Sequence, residues 1–292
     1  MPALSYTGEA QPMRIRRRKL SVLITLVVCY AGWGQSAYAQ PWIPPAGSGK
    51  IKATVRFYHS DRLFPQTSFS STTTPTHSKL SETQFRIDGE QGIGQGWALV
   101  YQLRAALLTK SKPKASYSAG GLQDQQIGVS YGLRQHAHFA DAITVNAIIP
   151  TGRTSTIPQL GTGALAVEPD YEVGVEHNFG SRVAYAGLSV GPRIYVRDGV
   201  TQVRASAVVG VGLIRRLTLI GTLFFSKTLA SNALAVSTTP NASEFYNILR
   251  GGVGLEYAVT KNVRPVIAYQ VDLAGQSIHA GSRLVAGVSW RY

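Results

Sequence analysis

Basic side chains recur in one phase of a two-residue alternation: Lys52, Arg56, Arg86, Arg104, Arg134, Arg204, Arg250, Arg264, Arg283 and Arg291. Their apolar neighbours occupy the other phase. Arginine dominates, and its planar fork of N–H donors matches the two oxygens of a carboxylate or phosphate. Asp88, Glu90, Glu172, Glu176, Glu256 and Asp272 share the polar phase. Two chemistries follow from such a row. Either the bases and acids pair into a structural network that fills an interior, or a surplus of bases lines a track for an anionic solute.

Other chemistries are poorly supplied. His59-Ser60-Asp61 has the residue types of a triad, but neighbours on one strand cannot converge on a reacting atom. His136 and His138 could chelate a metal, yet no third or fourth ligand stands near them in the sequence. The glycines at 92–96 and 251–254 are followed by no helix that would make a phosphate loop. No catalytic residue, metal or cofactor is expected. Cys29 is the only cysteine, so disulfide and thiolate-metal frameworks are excluded.

The alternation itself specifies the elements. On a strand, successive side chains point to opposite faces. In residues 281–292, Leu284, Ala286, Val288, Trp290 and Tyr292 make an apolar row against Arg283, Val285, Gly287, Ser289 and Arg291. The same pattern recurs at 51–58, 84–88, 97–105, 126–134, 143–147, 171–179, 203–212, 217–226, 249–257 and 264–273. Residues 182–195 also read as a strand, but both rows are small or apolar and its faces stay open. The sum is about twelve strands, an even count as barrels of this type require.

Connections alternate in length. Long ones are expected at 61–80, 109–123, 151–168 and 230–242, with shorter ones at 196–200 and 275–277. Tight turns are expected at 92–96, 135–141, 180–181, 215–216 and 260–263. Trp97, Tyr131, Phe179, Tyr257, Trp290 and Tyr292 all fall at the short-turn end, where amphipathic rings suit a membrane interface. The fold class is therefore all-β, a transmembrane antiparallel up-and-down barrel closed by the C-terminal aromatic strand. Its apolar rows face lipid and its basic rows face the lumen. At the closing seam, Lys52 and Arg56 should neighbour Arg283 and Arg291, and that seam is the first place to look for bound solute.

Residues 1–39 read as a cleaved secretory signal, leaving 40–292 as the barrel. Arg14, Arg16, Arg17, Arg18 and Lys19 precede the apolar run 20–33, and Ser36-Ala37-Tyr38-Ala39 places small residues before a cleavage point. Losing those five bases and Glu9 lowers the formal charge from +14 to +10. An exported basic barrel has outer-membrane lipid, lipopolysaccharide phosphates and an unidentified small solute as partners, not nucleic acid. Its C-terminal strand is the segment that barrel-assembly machinery would engage.

Ile149-Pro150-Thr151-Gly152, then Leu160-Gly161-Thr162-Gly163 and a strand from Pro169, resembles the P-T-G … L-G-T-G signature of a broad Gram-negative group. Its members are known as transporters or as proteins of the MetA pathway of phenol degradation. The resemblance implies an outer-membrane barrel for uptake of small, including aromatic, compounds. On the residues alone, Pro150, Thr151, Gly152, Gly161, Thr162 and Gly163 belong to a long loop that folds inward and narrows the mouth, with the glycines allowing positive-φ turns. The resulting expectation is a passive, mildly anion-preferring outer-membrane pore. The competing expectation is a non-conducting structural or adhesion barrel with a packed interior, whose binding loops include the Ser/Thr-rich stretch 68–78.

Overall fold

The structure, a computed structural model, describes residues 41–180, 182–196, 201–229 and 246–292. The expected signal with Cys29 and the expected loop 230–242 lie outside the described residues. Antiparallel strands follow one another as β1 (Gly49–Leu63), β2 (Thr74–Gly94), β3 (Trp97–Lys112), β4 (Ala115–Leu122), β5 (Gln125–Gln135), β6 (Phe139–Ile149) and β7 (Ala166–Phe179). They continue as β8 (Arg182–Tyr195), β9 (Thr201–Ile214), β10 (Leu217–Thr228), β11 (Asn247–Tyr257), β12 (Val263–Gln276) and β13 (His279–Arg291).

Apart from β4 and β5, each strand pairs with its sequence neighbours, and β1 pairs with β13, so the sheet closes on itself. Segments β4 and β5 both lie against β3, at its two ends, and form one interrupted barrel strand. The result is a closed antiparallel barrel of twelve strands. Closure pairs the backbone groups that an open edge would leave unsatisfied in hydrocarbon.

The barrel is inside-out, as alternation demands. Outward rows expose large apolar residues: Phe85 is 50% exposed, Leu107 59% and Val253 62%. Inward neighbours such as Gln84, Arg104 and Leu108 are buried. Trp97 and Tyr131 stack at 4.7 Å between ring centroids, and Trp290 and Tyr292 at 5.1 Å. All four are exposed at the short-turn end, forming part of a girdle.

Strands run further than alternation alone predicts. The expected loop 109–123 is mostly a hairpin, since β3 extends to Lys112 and β4 begins at Ala115. Hydroxyl contacts hold it, Thr109 to Ser118 at 3.1 Å and Ser111 to Ser116 at 3.2 Å. Small and hydroxylated residues make that hairpin look like a loop in the sequence. Likewise the expected loop 61–80 shortens to 64–73, and half of the Ser/Thr-rich stretch becomes strand.

Register corrects one placement and refines another. Arg134 is not in the lumen: β5 gains a residue between Gly132, opposite Ala142, and Arg134, opposite Asp141. That bulge turns Arg134 to the outer face, where it binds Asp141 at 2.5 Å and stacks over Phe139. At the seam, Arg291 faces Lys50 and Arg283 faces Tyr58, so Lys52 and Arg56 are their diagonal neighbours and not their direct partners.

Candidate functional site: the charged lumen

Lys52, Arg56, Arg86, Arg104, Arg204, Arg250, Arg264, Arg283 and Arg291 all lie on the inward face; Arg104 and Arg283 are buried and the rest half-buried. Neutralisation is uneven. Arg250 binds Asp272 at 2.7 Å, Arg264 binds Glu256 at 3.3 Å, and Arg86 binds Asp88 at 2.5 Å. Glu168 binds both Arg193 and Arg204, the latter at 2.7 Å. No ion pair joins Lys52, Arg56 or Arg283 to a described carboxylate.

Around the wall the signs separate. Strand β7 presents Glu168, Asp170, Glu172 and Glu176 inward, at every second position but Gly174. The bases Lys52, Arg56, Arg86, Arg104 and Arg283 cluster on β13, β1, β2 and β3, on the other side of the strand order. Arg104 on β3 lies close enough to Arg193 and Arg204, on β8 and β9, for their charges to act on it. Ser206, an inward residue of β9, is exposed, so water reaches the interior.

Sequence reading missed Arg193, Glu168 and Asp170. Both rows of β8 look alike, although Arg193 and Tyr195 share one phase. Glu168 was assigned to the preceding loop, and Pro169, which has no N–H to donate, gives a weak strand signal. Lys50 and Glu82 also face inward, one at each end of the predicted segments.

The P-T-G … L-G-T-G stretch is tied to the barrel by Asp124. Residues 123–125 oppose only Leu103 and Arg104 of β3, which makes a bulge between β4 and β5. Gln125 patches the ladder there: its side chain accepts from the Arg104 N–H at 2.8 Å and donates to the Arg104 carbonyl at 2.8 Å. The bulge frees the Asp124 carboxylate to accept from Gly152 N at 3.1 Å and from the N–H and hydroxyl of Thr162, both at 2.8 Å. Thr151 donates to the Gln123 carbonyl at 2.6 Å. Leu160 packs against Ala106, Leu108 and Ala119, inward residues of β3 and β4, so the loop lies inside the mouth.

The glycines serve this fold differently from the expectation of positive-φ turns. Gly163 alone of the three has positive φ, at 72°. A Cβ on Gly152 would sit 2.6 Å from the Gly161 Cα, so these two are required by close approach. A second inward cluster, Phe64, Tyr246, Ile248, Ile278 and Ala280 with Phe224 against it, fills the mouth near β11 to β13.

His59 and Ser60 of the His-Ser-Asp run point to opposite faces of β1. Ser60 is buried and donates to the Ala280 carbonyl at 2.7 Å, while His59 is exposed and contacts Ser81 at 3.3 Å. The His138 ring lies 6.2 Å from the His177 ring, edge to face. Among the described residues no group of three or more His, Cys, Asp or Glu could hold a metal.

This is the fold of an outer-membrane barrel. The chain is similar to the COG4313 outer membrane channel from Pseudomonas putida F1, with a TM-score of 0.63 and 13% identity over 88% of this chain and 100% of that one. It is more loosely similar to the NanC porin, with a TM-score of 0.48 and 12% identity over 82% of this chain and 100% of that one. The KdgM porin gives a TM-score of 0.45 and 10% identity over 82% and 99% of the two chains. No family model matches the chain, and no curated protein is similar to it. At such identities the likeness is one of fold.

Proposed function

We propose that the protein is an outer-membrane channel for passive diffusion of small solutes, with a mild preference for anions. The observation that carries this reading is the water-reached lumen in which Lys52, Arg56 and Arg283 keep charge that no described carboxylate neutralises. The preference is mild because the acid row of β7 offsets part of that charge. The mouth cluster of Phe64, Phe224 and Tyr246 supports passage of aromatic acids, as does the resemblance to the MetA-pathway group. No step of this reading requires catalysis or a cofactor.

The test is a planar bilayer separating two concentrations of potassium chloride. The reversal potential should have the sign for chloride moving faster than potassium. Cation selectivity would overturn the anion preference. A bilayer in which verified, folded protein passes no current would favour the non-conducting barrel instead.

A further inference from the structure

The carboxylates nearest the Arg56–Arg283 corner hydrogen-bond to other groups, Glu82 through Oε1 alone. Asp272 gives Oδ1 to Arg250 Nε at 2.7 Å, and its Oδ2 accepts from the Tyr58 hydroxyl at 3.2 Å and from Gly281 N at 3.1 Å. Asp88 accepts from Arg86 Nε at 2.7 and 2.8 Å and from Gln102 Nε2 at 2.7 Å. Glu82 accepts from Gln84 at 3.3 Å and Gln123 at 2.9 Å. What these acids leave behind is a set of guanidinium donors without acceptors.

Arg56 is the clearest case. Its cross-strand partners are Gln84 on β2 and Val285 on β13, neither of them an acid. Its Nε is buried with no hydrogen bond, and its electrostatic neighbours are Arg86, Arg283 and Arg104 with the single acid Asp88, which Arg86 already holds. Arg283 is buried, has no described carboxylate partner, and is steadied over the Tyr58 ring with its Cζ 5.4 Å from the centroid. Two like charges held diagonally across the seam in a partly dehydrated wall repel, and an anion seated between them offsets that repulsion.

We infer that Arg56 and Arg283 form a binding station for a monoanionic carboxylate within the channel. The inference rests on the channel reading and names the ligand class of its lumen. Tyr58 is a positioning residue: its ring orients Arg283, and its hydroxyl is held by Asp272 and by the His279 carbonyl at 3.2 Å. A carboxylate suits the station because its two oxygens match the guanidinium forks. A dianion carries a second charge toward the oxygens of Glu82, Asp88 and Asp272, which flank the corner, and is disfavoured.

The experiment titrates benzoate into the wild-type channel at fixed chloride and reads interruption of the single-channel current, with acetate and dianionic phosphate as parallel probes. Isothermal titration of benzoate into detergent-solubilised protein reads the same station without current. Benzoate and acetate should bind, and dianionic phosphate should bind at least tenfold more weakly. Arg56→Gln and Arg283→Gln should each weaken benzoate about tenfold, the ratio that 1.4 kcal/mol sets. Arg56→Lys, which keeps the charge and loses the fork, should fall between wild type and Arg56→Gln. Tyr58→Phe, which keeps the ring, should retain most of the affinity. Equal benzoate affinity in wild type and both glutamine variants would overturn the inference, as would phosphate binding as tightly as benzoate. Anion-selective current without carboxylate binding defeats the station alone, whereas cation-selective current defeats the channel preference.

Discussion

Glu168 shows how much one side chain carries. It is the only described carboxylate bound to Arg193 and Arg204, and all three are largely withdrawn from water. Removing one member of such a set leaves the others charged and unmatched, at a cost of about 3–5 kcal/mol. Glu168→Gln should therefore lower the unfolding free energy, read from a urea titration of the lipid-refolded barrel, by an amount in that range and move the midpoint down accordingly. Adding Arg193→Met to the variant should recover part of the loss, because one stranded charge is then gone. A midpoint unchanged in Glu168→Gln would mean that water already screens both arginines. Arg193 also marks a limit of reading: its charge is visible in the sequence, but the matching small residues on both faces of β8 hide the direction in which it points.

At the scale of elements, strand phase was readable almost everywhere because lipid outside and water inside impose opposite rows on each strand. Departures occur where a strand gains a residue. One extra residue after Gly132 sends Arg134 outward, and another at Gln123–Gln125 makes the anchor for the mouth loop. Parity counting cannot see either, since a bulge changes phase without changing composition. The motif around Gly152 and Gly161 is legible as a loop, but Asp124, which fastens it, is remote in sequence and falls between the expected loop 109–123 and the expected strand 126–134. Asp124→Ala should remove three hydrogen bonds and leave Gly152 and Thr162 donors unmatched. The expected loss is about 1–3 kcal/mol of unfolding free energy. Single-channel current should also become larger and noisier as the loop leaves the wall. Stability loss with an unchanged current trace would show that the loop stays in place by packing of Leu160 alone.

The whole molecule has a third device, at the opposite end from the mouth loops. Residues 41–48 run across the short-turn end of the barrel before β1 begins. Gly47 N donates to the Gly92 carbonyl at 3.1 Å, and Gly92 N to the Ser48 carbonyl at 2.9 Å, which fixes one end to the β2–β3 turn. Further along, Ile43 N donates to Gln135 Oε1 at 2.9 Å, and Trp42 Nε1 donates to the His136 carbonyl at 2.9 Å, which fixes the other to the β5–β6 turn. Pro44 and Pro45 stiffen the span between them by restricting φ. Trp42 then packs against Tyr185, an inward residue of β8 on the far wall, which Val208 of β9 also touches. A strap held at both turns with an indole against the far wall must narrow the path that a solute takes. Trp42→Ala should thus raise single-channel conductance while leaving the sign of the reversal potential unchanged, because the charged rows lie deeper in the lumen. Identical conductance in the variant would place the ion path beside the strap, along the wall that Trp42 does not reach.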